Sequence, residues 1–202
     1  MKNIYKQIVT TALLAATAMP GTLLAEATSD DGATPLSAAA RLDFQINIPG
    51  ILRFRVGSDA GTIDLVQFTP TAANLGDDTD IDGTGGDLTG GEVTVDLFSN
   101  AGQITITPTN NSSGAGLDNG LGDTISYDEI LTSSSDAAVL PVPVLSDAGG
   151  TTSQPPPTSG SRVTNLTESW TYTYDNTDVY PEGTYGGVNT KGGRVTYTAA
   201  SP

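Results

Sequence analysis

Apolar and polar residues alternate along much of this chain, with the period of two that extended strands produce. The clearest run lies at residues 42–48, where Asp43, Gln45 and Asn47 separate the apolar positions. Those apolar positions are Leu42, Phe44, Ile46 and Ile48. Because successive side chains of a strand point to opposite faces, the run predicts a strand with one buried face. Pro49-Gly50 then interrupts the pattern, as a turn or bend would.

The next run predicts a second strand, and it carries two of the chain's few cations. Leu52, Phe54 and Val56 lie on one face, and Arg53 and Arg55 lie on the other. Cross-strand neighbours on one face of a sheet interact directly. We therefore expect the two arginines to pair with acidic residues across the sheet.

Shorter apolar runs continue to the end of the chain. They are residues 63–68, 93–97, 104–107, 125–131, 170–174 and 195–199. The Ser-Asn-Ala-Gly segment at 99–102 is typical of a hairpin turn joining the runs on either side of it. Strands at this spacing, without helical periodicity between them, favour an all-β antiparallel β-sandwich. We expect that domain to span residues 41–202.

The N-terminal residues follow a different pattern. Two lysines precede an apolar run at residues 8–19, and small residues follow up to Ala27. This layout predicts a secretory signal peptide, and the apolar run is too short to span a bilayer. We expect residues 1–25 to form the signal, with cleavage after Ala25 or Ala27, and residues 26–40 to form a flexible leader. The protein is then exported, to the cell surface or the extracellular space.

The charge of the mature chain limits its partners. The sequence has 23 acidic and 8 basic residues, and removing the signal takes away two lysines, which leaves six basic residues and a net charge of −17. Such a surface repels nucleic acid and anionic lipid. No later apolar stretch is long enough to cross a membrane. We expect neither a nucleic-acid partner nor membrane insertion after the signal is removed.

The chain contains no cysteine and no histidine. It therefore has no disulfide and no thiolate, and it lacks the commonest general base and transition-metal ligand. The ordinary forms of serine-histidine, cysteine-histidine and zinc-water catalysis are excluded. We predict that the protein is not an enzyme and requires no cofactor.

One acidic segment has the spacing of a calcium loop. Asp78, Asp80 and Asp82 alternate and are followed by a glycine, and Asp87 falls near the later ligand positions. Thr89 stands where the twelfth position of such a loop has a bidentate glutamate, and no helices flank it. The segment is therefore interpreted either as a calcium site or as a solvated acidic loop.

Aromatic residues near the C-terminal end offer a second binding chemistry. Trp170, Tyr172 and Tyr174 share one strand face, while Tyr180 and Tyr185 lie in turn-rich sequence. Aromatic faces can stack on sugars, but aromatics on one strand face more often pack in a core. Trp170, Tyr180 and Tyr185 are the candidate ligand residues.

Short motifs at both ends of the mature chain resemble bacterial fimbrial, pilin-like β-sandwich proteins, in particular the spore-coat-U-like and related secreted groups. The motifs are Leu42-Asp43-Phe44-Gln45-Ile46, Gly183-Thr184-Tyr185 and Arg194-Val195-Thr196-Tyr197-Thr198. The middle of the chain shares only the general β character. The sequence departs from the family in lacking cysteines, in the position of its last tyrosine and in its acidic loop.

The resemblance implies an immunoglobulin-like sandwich that passes through the periplasm, with chaperone–usher handling and polymerisation by donor-strand exchange. In that mode the N-terminal strand of one subunit completes the sheet of its neighbour. Residues 42–48 would supply the donor strand, through Leu42, Phe44, Ile46 and Ile48. Val195, Tyr197 and Ala199 would border the acceptor groove. The alternative is that residues 42–48 form the first strand of the chain's own sandwich, since alternation does not specify a partner.

The sequence therefore favours a secreted structural or interaction protein. It would be a pilin-like subunit of a surface filament or coat, with copies of itself or related subunits as partners. The second hypothesis is a monomeric secreted adhesion module that depends on carbohydrate or calcium.

Overall fold

The computed structural model describes residues 28–59, 61–158, 160 and 162–202. The chain divides into two compact units, Met1–Ile48 and Pro49–Pro202. The predicted signal peptide and both candidate cleavage positions lie outside the described residues. Within the described part, no helix has the length and hydrophobicity needed to cross a membrane.

The second unit is built from short strands joined by turns and irregular segments. The strands are β1 (Leu52–Val56), β2 (Val66–Gln67), β3 (Ile81–Asp82), β4 (Thr84–Gly85), β5 (Glu92–Ser99), β6 (Thr105–Asn110), β7 (Leu117–Asp118), β8 (Thr124–Ile125), β9 (Ile130–Ser134), β10 (Thr164–Tyr174) and β11 (Val195–Ala200). A 3-10 helix, Tyr127–Glu129, precedes β9. The predicted run at 139–145 forms an extended connection without a strand assignment, as its two prolines require.

Two antiparallel sheets make up the main architecture. The larger has the order β1-β5-β10, and β10 also pairs with β9 on one side and β3 on the other. The smaller pairs β11 with β6. Two further two-stranded sheets, β2-β4 and β7-β8, lie outside these. The predicted all-β fold of antiparallel sheets, consistent with a β-sandwich, is confirmed.

The core consists of the alternate side chains of the central strands. In β5, Val93, Val95 and Leu97 are at most 4% exposed, while the residues between them are half-buried. Trp170 of β10 and Ile106 of β6 are fully buried in the same cluster. Period two thus identified the buried face of β5 correctly.

The predicted hairpin across residues 99–102 is wrong. β5 pairs with β1 and β10, whereas the following long strand, β6, pairs with β11 in the other sheet. Gly102, with a positive φ of 101°, turns the chain from one sheet to the other. Turn residues specify a reversal of the chain, but they do not specify which strand pairs with which.

In the first unit, the structure assigns no strand to residues 28–48. The strand predicted at 42–48 is therefore not formed. Its four apolar side chains are 76%, 86%, 84% and 78% exposed, in chain order. A local turn precedes it, where the Asp30 carboxylate accepts hydrogen bonds from the backbone N–H of Gly32 and of Ser37, both at 3.0 Å. The segment therefore has the pattern of a strand without a strand to pair with in the described residues.

Candidate functional site

The first feature of the candidate site is the outer edge of β1. The N–H of Asn100 donates to the Ile51 carbonyl at 3.2 Å, and the N–H of Gly57 donates to the Thr94 carbonyl at 2.8 Å. Because backbone groups alternate in direction along a strand, the odd-numbered residues of β1 face β5, and residues 52, 54 and 56 face away. Among the described residues no strand pairs with that outward side. β1 therefore presents an open edge.

The second feature is the outer edge of β11. The N–H of Asn111 donates to the carbonyl of Arg194 at 3.1 Å, so the even-numbered residues of β11 face β6. The N–H and C=O of Val195, Tyr197 and Ala199 then point outward, and no strand of the described chain pairs with them. An open edge carries unpaired donors and acceptors and is a template for another strand.

The two open edges belong to neighbouring strands, and we call the surface between them the groove. β1 and β11 belong to different sheets and lie next to each other. The fully buried Trp170 forms its floor: the Phe54 ring lies 6.5 Å from it on the β1 side, and the Tyr197 ring lies 5.2 Å from it on the β11 side. Val56, Val195 and Ala199 are half-buried and pack against the same core.

The groove floor is apolar and uncharged. The hydroxyls of Tyr172 and Tyr197 are 2.9 Å apart and bond to each other. Burial raises the pKa of Tyr172 to about 12 and raises the pKa of Tyr197 well above its ordinary value. Both phenols therefore stay neutral under ordinary conditions.

The structure places the three predicted acceptor residues, Val195, Tyr197 and Ala199, on the half-buried face of β11 at this groove. It leaves the candidate donor residues of the 42–48 run exposed. The sequence did not identify Phe54 as the opposite wall. The alternation of Phe54 with the two arginines indicated that its side chain faces the core. It did not indicate that β1 would be the edge strand of its sheet.

Asn100 makes three hydrogen bonds to the segment that leads into β1. Its amide nitrogen donates to the carbonyl of Pro49 at 2.9 Å, and its Oδ1 accepts from the N–H of Ile51 at 2.8 Å. Its own backbone N–H donates to the Ile51 carbonyl. Both backbone polar groups of Ile51 are thus directed toward the turn that follows β5.

The outer face of β1 carries the predicted ion pair. Arg55 bonds to the carboxylate of Asp96 directly across the strand pair, with Nε at 2.8 Å, and it also bonds to the carbonyl of Gly57 at 2.7 Å. Burial alone would raise the pKa of Asp96, but hydrogen bonds from Arg55 and Thr167 outweigh it and lower that pKa. Arg53 instead lies over the Phe98 ring, 5.9 Å from its centre. The expected pairing is confirmed for Arg55.

The acidic segment does not form a gathered metal site. No three acidic side chains in the described residues come together as metal ligands. Asp78 accepts a hydrogen bond from the Thr177 hydroxyl at 3.1 Å, Asp82 lies in β3 opposite Thr173, and Asp87 accepts from the N–H of Thr94 at 2.7 Å. Asp80 is exposed on the loop between them. The calcium interpretation of Asp78, Asp80, Asp82 and Asp87 gains no support from this arrangement.

The aromatic ligand set is only partly on the surface. Trp170 is fully buried, and its ring N–H donates to the carbonyl of Leu140 at 3.2 Å, so its assignment as a ligand residue is wrong. Tyr180 and Tyr185 are half-buried with their rings edge to face, 6.4 Å apart. The Tyr180 hydroxyl donates to Glu129 at 3.4 Å.

Acidic neighbours surround this tyrosine pair. Burial, then Asp175 and Asp178, raise the pKa of Glu129. Burial and Glu129 raise the pKa of Tyr180 to about 12. The Tyr185 hydroxyl is occupied by the Pro181 carbonyl at 2.8 Å. The hydroxyls are bonded within the protein, which leaves ring surface as the main feature offered to a ligand.

Comparison of the chain with models of known protein families, with curated proteins and with solved structures found no match.

Proposed function

We propose that this protein is a secreted, pilin-like subunit of a surface filament or coat, and that it assembles by strand donation. Residues 42–48 of one copy fill the groove between β1 and β11 of another. The single observation that carries the proposal is the match between an exposed segment with apolar residues at alternate positions and a groove with two open strand edges. Without a partner, the segment leaves its apolar side chains exposed, and the strand edges leave their outward N–H and C=O groups unpaired.

The strand order supports the same assembly. An immunoglobulin-like sandwich of seven strands has the sheets A-B-E-D and C-F-G. If the six long strands are lettered in chain order, β1, β5, β10 and β9 give the order A-B-E-D, and β6 and β11 give C-F. A seventh strand would lie at the outer edge of β11. That is one side of the groove.

The chemistry of donation follows from strand pairing. A strand in the groove would bond its backbone to the outward N–H and C=O groups of the open edges and turn every second side chain toward the core that contains Trp170. Burying one large apolar side chain is worth about 1.5–3 kcal/mol. The polar residues Asp43, Gln45 and Asn47 would then face outward, in keeping with their alternation.

The proposal is tested on the donor, because its side chains are exposed and their replacement leaves the core intact. Mature protein is examined by light scattering after size exclusion and by negative-stain microscopy, with Phe44→Asp as the variant. We expect filaments or a ladder of oligomers from the parent and only monomers from the variant. The matched control is Gln45→Asp, on the opposite face, which should assemble as the parent does. Equal assembly of Phe44→Asp and the parent would overturn the proposal.

The alternative function, a monomeric adhesion module that binds carbohydrate, depends on the ring surfaces of Tyr180 and Tyr185. A glycan array with the parent and a Tyr180→Ala, Tyr185→Ala double variant tests it. Binding by a monomeric parent that the double variant loses would favour this alternative over assembly.

A further inference from the structure

The charged side chains of the second unit are divided unequally between the two ends of its larger sheet. We infer that these two ends attract each other between copies, so that an incoming subunit is steered into head-to-tail order. The inference rests on the proposed assembly of copies, but it does not depend on the donated strand. Its basis is the distribution of charge along β10, which runs from one end of the sheet to the other.

The first end of the sheet lies where β10 begins, and we call it the basic end. Thr164 pairs there with Ser99, the last residue of β5, and Ser99 pairs with Leu52, the first residue of β1. The turn after β5 is joined to the segment before β10, since the N–H of Gly102 donates to the carbonyl of Arg162 at 3.1 Å. Three separate parts of the chain therefore meet at this end.

The strands and turns of the basic end contain no acidic residue. Neither Asp nor Glu occurs in residues 44–58, 97–117 or 148–167, which supply them. Arg53, the second residue of β1, and Arg162 are both exposed there. The sequence has 23 acidic residues, yet the charged side chains that these segments bring to this end are positive.

The two arginines of β1 differ in how far their charge is already matched. Arg55 forms an ion pair with Asp96. Arg53 instead lies over the uncharged ring of Phe98, 5.9 Å from its centre. A guanidinium stacked on a ring can still bond to a carboxylate through its edge, where the N–H groups lie. The charge of Arg53 can therefore serve an acidic partner outside the chain.

The other end of the sheet lies where β10 ends, and we call it the acidic end. Asp82 of β3 pairs with β10 there. The N–H of Asp175 donates to the carbonyl of Glu129 at 2.8 Å, and the hydroxyl of Thr177 donates to Asp78 at 3.1 Å. The loops before β3, before β9 and after β10 thus bring their carboxylates to one end of the sheet.

The carboxylates of the acidic end are close enough to influence one another. Burial first, and then the negative charges of Asp175, Asp178 and Asp128, raise the pKa of Glu129. Like charges have this effect because each makes the ionised form of its neighbour less favourable. The acidic end therefore has a negative local potential, which attracts a positive group.

Within one copy, the two ends are too far apart to neutralise each other. β10 has 11 residues, and a strand rises about 3.3 Å per residue, so its ends are roughly 33 Å apart. The Debye length at physiological ionic strength is about 8 Å. The charges at one end are therefore screened from those at the other, whereas a second copy can bring opposite ends into contact.

The net charge of the protein makes the orientation of approach important. Each copy has a formal net charge of −15, so two copies repel each other wherever acidic surfaces meet. When a basic end approaches an acidic end, attraction replaces this repulsion. Electrostatic complementarity of this kind raises the association rate and suppresses wrong orientations. Because the two contacting surfaces differ, the contact is heterologous, and a heterologous contact that does not close builds an open filament.

The inference is tested with two variants that change the charge equally at different places. Arg162→Glu reverses a charge at the basic end. Arg194→Glu is the matched control, because Arg194 precedes β11 next to Asn110, where β6 finishes after leaving the basic end. Assembly of the mature protein is followed by light scattering at low ionic strength. We expect the initial rate of Arg162→Glu to be about tenfold below that of Arg194→Glu, and added salt to reduce the difference.

A third variant separates steering from the effect of net charge. Asp178→Lys makes the protein less acidic, so net repulsion alone predicts faster assembly. Steering predicts slower assembly, because the change weakens the acidic end. Asp178 is exposed, so its replacement leaves the core intact. A mixture of Arg162→Glu and Asp178→Lys chains should assemble faster than either alone, since the unaltered basic end of one then meets the unaltered acidic end of the other.

The outcomes separate the two claims. If the parent does not assemble, the proposed function fails and this inference fails with it. If the parent assembles but Arg162→Glu and Arg194→Glu slow assembly equally, or Asp178→Lys accelerates it, the inference is overturned while the proposed function stands. Phe44→Asp, which tests the donated strand, leaves the charges of both ends unchanged.

Discussion

Two segments of this protein have nearly the same sequence pattern and opposite environments. Residues 42–48 and strand β5 both alternate apolar with polar residues. In β5 the apolar residues Val93, Val95 and Leu97 are at most 4% exposed, whereas those of the 42–48 run are at least 76% exposed. The difference is pairing: β5 has β1 on one side and β10 on the other. Alternation thus specifies a tendency to form a strand, and the neighbours decide whether a face is buried.

The comparison extends to the edges of the sheets. Among the residues that the structure describes, β1 and β11 each pair with a strand on one side only, and their inward side chains are half-buried. The exposure of their inward side chains lies between that of the buried face of β5 and that of the apolar residues of the 42–48 run. A strand inserted beside them would bring both the edge strands and the inserted segment closer to the state of β5.

The largest expected effect separates the two alternating segments in the monomer. Val95→Asp places a charge without a partner at a fully buried position of β5, and we expect it to abolish folding. Phe44→Asp should leave the melting temperature of the unassembled protein unchanged. Circular dichroism melts of the two variants check this. A loss of monomer stability in Phe44→Asp comparable to that in Val95→Asp would contradict the contrast.

The next effect concerns the groove floor. Trp170 contacts both Phe54 of β1 and Tyr197 of β11, so Trp170→Ala leaves a cavity beneath both edge strands. Replacing a buried aromatic by alanine typically costs about 3–5 kcal/mol. Denaturant unfolding should show a loss of this size, with Tyr185→Ala as the control at a half-buried aromatic outside the core. A loss below about 1 kcal/mol for Trp170→Ala would mean that the floor does not support the strands.

A synthetic peptide of residues 41–49 should stabilise the Phe44→Asp monomer, because it provides the strand that the open edges lack. A ligand that binds only the folded state at 100 times its Kd contributes about 2.7 kcal/mol. The control peptide exchanges residues 43, 45 and 47 with their apolar neighbours, which moves the apolar residues to the opposite parity. Thermal melts with each peptide check the prediction, and equal stabilisation by both would show that face selection is absent.

The sequence predicted the elements of this fold better than their partners. Alternation located β1, β5, β6, β10 and β11, because each has one buried face and period two reports that face locally. The hairpin between β5 and β6 was wrong, since pairing depends on residues far along the chain. For the same reason the open edges beside β1 and β11 were not deducible from the sequence, although the residues of β11 were.

The candidate site was predicted unevenly for similar physical reasons. Val195, Tyr197 and Ala199 lie on the half-buried face of β11, which their alternation reports, while their role as an acceptor surface stays a prediction. Trp170 was assigned to a ligand surface, but composition alone does not show that β10 is flanked by strands on both sides. The role of Asn100 had no sequence signal beyond its place in a turn, because it depends on where Pro49 and Ile51 lie in space.

The smallest expected effect concerns the ion pair on the polar face of β5. The 42–48 run has no counterpart of this pair, because no strand lies beside it in the described residues. Arg55 and Thr167 bond to Asp96 and lower the pKa of Asp96. An acid with a lowered pKa in the folded state stabilises the fold above its unfolded pKa, near 3.8, and this contribution disappears as the pH falls through the folded value.

Asp96→Asn should therefore lower the melting temperature at pH 7 and have a much smaller effect at acid pH. Because both side chains of the pair are partly exposed, at 28% for Arg55 and 22% for Asp96, salt should weaken the effect at pH 7. Arg55→Gln should reproduce the same pH dependence. An effect of Asp96→Asn that is equal at both pH values would attribute it to packing and not to the ion pair.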